Sequence, residues 1–185
     1  MSDLVTYAKA QVGTLEWKNG TNPKIKQMFA DAGHPEVVDD DIAWCAAFVG
    51  SCLKNTGYGN TGSLAARSYL NFGERVAVNE IQPGDIVIWT RGGASWQGHV
   101  EIVAKKRGLF LDVIGGNVSN QVKMYSRKID DKFLGAVRPI KLPTTPKITS
   151  AVNSTAPVKV PVKSWIATVI AGLAVLAATY LGFFK

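Results

Sequence analysis

Residues 39–58 read DDDIAWCAAFVGSCLKNTGY: three acids, an apolar run carrying both cysteines, and a glycine stop. Trp44, Ala47, Phe48 and Ser51 or Cys52 recur at helical spacing, so a helix is expected from behind the acids to Gly57. Cys45 then lies in the first turn, where unsatisfied backbone N–H groups favour the thiolate and raise its nucleophilicity near neutral pH. Cys52 lies mid-helix and is expected to be a buried, inert thiol. Seven residues place the two roughly 10.5 Å apart along the axis, too far for a disulfide. Each is expected to be a free thiol.

Two further helices are legible upstream. Leu4, Val5, Ala8 and Val12 fall on one face and stop at Gly13; Asn22 caps a second helix with Pro23 in its first turn, Ile25, Met28, Phe29 and Ala32 on one face, and Gly33 at its end. After Pro83 the period changes to that of strands: DIVIWT, HVEIVAK, LFLDVIGG, QVKMYS and FLGAVRPI, divided by turns. Helices followed by a meander of strands define an α+β domain over residues 1–140, with N-terminal helices packed on an antiparallel sheet. No repeat, phosphate-binding loop or dinucleotide fingerprint interrupts it.

A nucleophilic thiol needs a base, and the chain has two histidines. His99 follows a glycine at the start of a strand, where its ring can project toward a helix terminus packed on the sheet. His34 follows the second helix, where a cation is simply favourable to the helix dipole. The base in turn needs a partner that fixes its orientation. Asn117, eighteen residues on, is what an antiparallel return would bring alongside His99; Asp112 on the same strand and Glu101, on the face of His99 two residues along, are its rivals.

Four motifs in order, DDDIAWCAAFVGSCLKNTGY, QPGDIVIW, GHVEIV and VIGGN, resemble the CHAP- and NlpC-type cell-wall cysteine hydrolases of bacteriophages and bacteria, which are papain-like in their catalytic core. The resemblance spans residues 1–140. It implies a thiol attack on amide bonds of peptidoglycan, within the stem peptide or between peptide and sugar, with Cys45 as nucleophile, His99 as base and Asn117 orienting the ring. Substrate contacts are expected at Asp41, Trp44 and Trp96. Asp39, Asp40 and Asp41 serve either the free amine of a stem peptide or helix capping. The sequence departs from the commonest family pattern, which has Asp before the cysteine and Ser-Gly after it; here Trp44 precedes and Ala46 and Ala47 follow. The expected alternative is a non-catalytic wall-binding or structural virion protein on the same fold.

The 185 residues are 46% hydrophobic and 19% charged, which excludes intrinsic disorder, and the charge is uneven. Residues 1–140 carry a net +2, residues 141–185 a net +5 with no acid. Most of the basic excess is outside the domain, which argues against a nucleic-acid partner. Lys105, Lys106 and Arg107 form the tightest basic run and read as a solvated turn. Residues 141–164 are rich in Pro, Thr, Val and Lys and read as an extended linker. Trp165 to Phe184 is uncharged for twenty residues, about 30 Å as a helix, and is expected to cross a bilayer once as a C-terminal anchor, with Lys163 and Lys185 flanking it. The N-terminus lacks the basic and apolar regions of a cleaved signal. The domain is therefore expected on the synthesis side of the host inner membrane, released at lysis, or in the membrane of a lipid-containing phage particle. No metal or other cofactor is expected, because the sequence lacks HExxH and any Cys and His ligand cluster.

Overall fold

The computed structural model describes residues 2–39 and 41–143. Helices α1 (Asp3–Ala10), α2 (Pro23–Ala32) and α3 (Cys45–Asn55) come first. Strands β1 (Glu74–Val76), β2 (Ile86–Thr90), β3 (Gly98–Arg107), β4 (Phe110–Gly115), β5 (Lys123–Lys128) and β6 (Phe133–Arg138) follow, with 3₁₀ turns at Ala66–Asn71 and Val78–Glu80. The expected α+β layering of helices and antiparallel sheet is present. The expected Trp165 to Phe184 helix and most of the linker lie outside the described residues; among the described residues no helix is long and apolar enough to cross a membrane.

Local chemistry sets the helix limits. The Asn22 side chain accepts from the Lys24 N–H at 2.9 Å, Pro23 occupies the first turn, and Gly33 closes α2 with φ of 102°. That left-handed conformation is open to glycine without a Cβ penalty. Helix α1 ends two residues before Val12, which is half exposed instead of packed. Helix α3 starts later than the apolar pattern suggests, and ahead of it the Asp41 N–H donates to Asp39 Oδ1 at 2.9 Å. Cys45 is consequently its first residue.

The strands form one antiparallel sheet in the order β1-β6-β2-β3-β4-β5. Period-two alternation gives it two apolar faces. Ile86, Ile88, Val100, Ile102 and Ile114 pack with the helices, whereas Val87, Trp89, Val103, Leu111 and Val113 form a second cluster. Helix α3 is buried continuously from Cys45 to Leu53, between α2 and the sheet. Each large apolar side chain there contributes about 1.5–3 kcal/mol by burial.

Two close approaches lock α3 in place. A Cβ on Gly50 would meet Ala32 Cβ at 2.9 Å, and one on Gly116 would meet Trp44 Cζ3 at 2.8 Å and Phe48 Cβ at 2.5 Å. Gly116 is therefore required for space, where the end of the sheet touches the start of the helix. Gly116→Ala is expected to destabilise the fold by about 1–3 kcal/mol through overpacking. Gly93→Ala, where a Cβ meets nothing, is expected to stay within about 0.5 kcal/mol. Urea midpoints at constant m value provide the measurement.

Candidate active site

The N-terminus of α3 sets Cys45 against β3, the strand that carries His99 as its second residue. Trp89 of β2 is the register partner of His99. Both Cys45 and His99 are buried, and the thiol pairs with the imidazole. The ring's Nε2 lies 3.3 Å from Glu101 Oε1, an ion-pair distance whose alignment falls short of a hydrogen bond. Its Nδ1 faces Arg91 Nη1 at 3.3 Å.

Glu101 is completely buried. Arg127 donates from Nη1 to Glu101 Oε2 at 3.4 Å, and its guanidinium lies 3.8 Å from the centroid of the Trp89 ring. Tyr125, two residues before Arg127 on β5, faces the same carboxylate. A Cβ on Gly115 would meet Glu101 Oε1 at 2.8 Å. The end of β4 thus leaves the carboxylate room beside the imidazole.

These contacts oppose and outweigh burial. Burial pushes the Cys45 thiol up, but the pairing with His99, the Val100 backbone and the charge of Arg91 bring it below the ordinary thiol value. For His99, burial favours the neutral ring, yet Cys45 and Glu101 raise it to about 9. Glu101 is pushed up by burial and held down on balance by His99, Tyr125 and Arg127. Both shifts favour the charged pair, a thiolate beside an imidazolium, over the neutral one. Because the His99 value is raised, the stabilisation from its charged form is complete below the ordinary histidine value and is lost as pH rises through about 9.

Cys45 opens on a cleft of about 760 Å³ that is also lined by Asp41, Leu64, Arg91, Trp96 and Asn117. Two expected substrate contacts, Asp41 and Trp96, are therefore on its walls, and the Trp96 side chain is largely exposed. Trp44 is different. It is fully buried and its indole N–H donates to Glu16 Oε1 at 2.6 Å, so it belongs to the core and cannot touch a substrate. Its helical stripe, which placed it beside Phe48, already carried that burial.

The structure sets Glu101, not Asn117, against the imidazole. Extending the Ile102↔Ile114 register would place Asn117 opposite His99, but β4 ends at Gly115 and the chain turns away, with φ of 54° at Asn117. Asn117 instead lines the cleft, its carbonyl 3.5 Å from Arg91 Nη2. Asp112 pairs with Arg107, and His34 pairs with Glu36 on the surface. Cys52 is buried, and burial holds its thiol well above the ordinary value. Asp40 lies outside the described residues. Among the described residues no three His, Cys, Asp or Glu side chains gather as a metal site. Arg91, Tyr125 and Arg127 carried no sequence signal; Glu101 did, as an acid inside the apolar strand VEIV.

Residues 37–117 match the CHAP domain family model, a span that contains Cys45, His99, Glu101 and Asn117. No curated protein matches the chain. Among solved structures it is similar to an NlpC/P60 family protein from Bacillus cereus, at 17% identity and TM-score 0.48, covering 74% of this chain and 39% of that one. A Staphylococcus aureus protein similar to lipoproteins of the NLP/P60 family gives 14% identity and TM-score 0.47, covering 76% and 41%. The chain spans about two fifths of the length of these two. RipD from Mycobacterium tuberculosis, a non-catalytic NlpC/p60 domain protein adapted to peptidoglycan binding, gives 14% identity and TM-score 0.43, covering 74% and 94%. The family match is to the CHAP domain and covers less than half of the chain.

Alkylation reads the thiol without any substrate. Iodoacetamide is expected to modify Cys45 at pH 6.5 and to leave Cys52 untouched in the folded protein. His99→Ala is expected to slow Cys45 alkylation at that pH by about tenfold or more, because the thiol returns toward its ordinary value of about 8.5. Peptide mapping of the labelled protein separates the two sites.

Proposed function

We propose that the protein is a cysteine hydrolase that cuts an amide bond of peptidoglycan. The observation that carries this is the buried run Cys45, His99, Glu101, whose Cys45 end lines an open cleft, and the CHAP match supports the substrate class. The Cys45 thiolate attacks the amide carbon, and the carbonyl electron pair moves to oxygen. Backbone N–H groups at the start of α3 stabilise that oxyanion. Collapse of the intermediate expels the amine, which takes its proton from the His99 imidazolium, leaving a thioester on Cys45. The neutral ring then removes a proton from water; the hydroxide attacks the thioester, and the acid product leaves as the thiolate and imidazolium re-form. Glu101 holds the ring and its charge. Trp96 offers an exposed aromatic face to the substrate, and Asp41 offers a carboxylate to a stem-peptide amine.

Membrane anchoring is part of the proposal, supported by the uncharged run Trp165 to Phe184. A phage-encoded enzyme used at entry or lysis is supported by the sequence resemblance. In fractionation of host cells and particles, the full chain is expected to need detergent for release, whereas a truncation ending at Pro143 is expected to be soluble. A soluble full chain, or a truncation that still sediments, would remove the anchor.

Cleavage is tested by mass spectrometry of purified peptidoglycan after digestion with the full chain, which identifies the bond from fragment masses. Cys45→Ala is expected to abolish cleavage and Cys52→Ser to keep most of it. His99→Ala should lower kcat by about 10²–10⁴, and His34→Ala should behave as the parent. Glu101→Gln is expected to cost more than Asn117→Ala and to move the alkaline limb of kcat/KM from about 9 toward about 6.5. Equal losses for Cys45 and Cys52 variants, all folded, would contradict the assignment. Binding of wall material without cleavage by the parent would favour the structural alternative.

A further inference from the structure

The segment between α1 and α2 leaves three large apolar side chains, Val12, Leu15 and Trp17, about half exposed to solvent. With Pro23 and Lys24 they line a cavity of about 450 Å³ that shares no described residue with the Cys45 cleft. Backbone pairing fixes this strip to the sheet: Leu15 pairs with Gln121, and the Gly13 N–H donates to the Val122 carbonyl at 3.0 Å. Met124, the second residue of β5, is exposed beside it. Single exposed apolar residues are ordinary, but a contiguous group rimmed by polar ones marks a contact surface. The charge around this group is one-sided. Lys18, Lys24 and Lys123 have no ion-pair partner among the described residues. Glu16, the only acid in residues 12–24, accepts from the buried Trp44 indole at 2.6 Å.

A tryptophan and aliphatic side chains ringed by lysines match the interface of a bilayer, where the indole sits at headgroup level and the ammonium groups meet lipid phosphates. A glycan strand fits less well. Its hydroxyl groups need polar side chains to pair with, and the amide in this wall, Asn22, is committed to the Leu15 carbonyl and the Lys24 N–H, at 2.7 and 2.9 Å. We propose that the face formed by Val12, Leu15 and Trp17 docks the domain on an anionic bilayer and leaves the Cys45 cleft uncovered. The choice of occupant rests on the anchor reading. On that reading residues 144–164 tether the domain to a membrane, so a small face acts at high effective concentration. Without the tether the face is too small to hold the domain, and the truncation ending at Pro143 stays soluble.

The test uses the full chain carrying Cys45→Ala, with an environment-sensitive fluorophore on Asn19→Cys, reconstituted into phosphatidylcholine vesicles with or without phosphatidylglycerol. Cys52 is buried and stays unlabelled. With phosphatidylglycerol the emission is expected to shift to the blue and to be quenched by nitroxide lipid. The same label on Ser95→Cys, beside Trp96, is expected to stay in water. Lys18→Gln and Lys24→Gln are each expected to lower the ratio of docked to free domain by about fivefold, and Trp17→Ser to lower it as well, with folding checked by circular dichroism. A chain retained by both kinds of vesicle with an unshifted Asn19→Cys label refutes docking and leaves the anchor. Retention by anionic vesicles alone, lost in the lysine variants, supports docking and refutes the anchor; retention by neither refutes both. A shift of equal size in both lipids, unmoved by the lysine variants, overturns the proposal. So does a shift produced by soluble glycan fragments in place of vesicles, which makes the face a wall-binding site.

Discussion

The buried carboxylate of Glu101 beside the His99 ring is the contact on which the rest of the site depends. An ionised acid with no water around it costs several kcal/mol unless other charges and donors surround it. Here His99, Arg127 and Tyr125 do so, from β3 itself and from β5 across β4. Trp89 on β2 then supports Arg127 from beneath. Four consecutive strands of the sheet are thereby tied to one imidazole, and the sheet order β2-β3-β4-β5 becomes a requirement of the site. Gly115 completes the arrangement by withholding a side chain where the carboxylate lies.

A charged ring held on a rigid sheet is useful only if the thiol is equally fixed. Helix α3 achieves this by being buried from its first residue, with Trp44 anchored to Glu16 just ahead of the cysteine. The contact of Gly116 with Trp44 and Phe48 sets the height of the helix over the sheet. Consecutive glycines therefore do two different things: Gly115 accommodates the acid that holds the histidine, and Gly116 accommodates the helix that holds the cysteine. The pair explains why VIGGN is informative although neither glycine needs a left-handed backbone.

Much of this is legible in the sequence alone. Asn22, Pro23 and Gly33 bound α2 because caps and stops are local chemistry, and DIVIWT and HVEIVAK are strands because their alternation is local too. The meeting of Cys45 and His99 was also legible, one from a helix start and the other from a Gly-His strand start. What was not legible depends on where a strand stops. Counting residues along an unbroken hairpin puts Asn117 opposite His99, but β4 stops at Gly115 and the left-handed turn removes it. Trp44 could not be assigned by its position beside Cys45 alone, since neighbours on a helix start point to different faces, one toward the core and one toward the cleft. Arg91 and Arg127 come from separate strands and loops and meet only in three dimensions.

The pairing of His99 with Cys45 and Glu101 can be tested directly by NMR titration of the His99 ring. With only two histidines in the chain, His34→Gln assigns the signals unambiguously. The His99 transition is expected near pH 9 in the parent and at a clearly lower pH in Cys45→Ala and in Glu101→Gln, since each removes one of the two groups that raise it. A transition near the ordinary value of about 6.5 in the parent, unmoved by either substitution, would contradict the pairing and with it the central chemistry assigned to this fold.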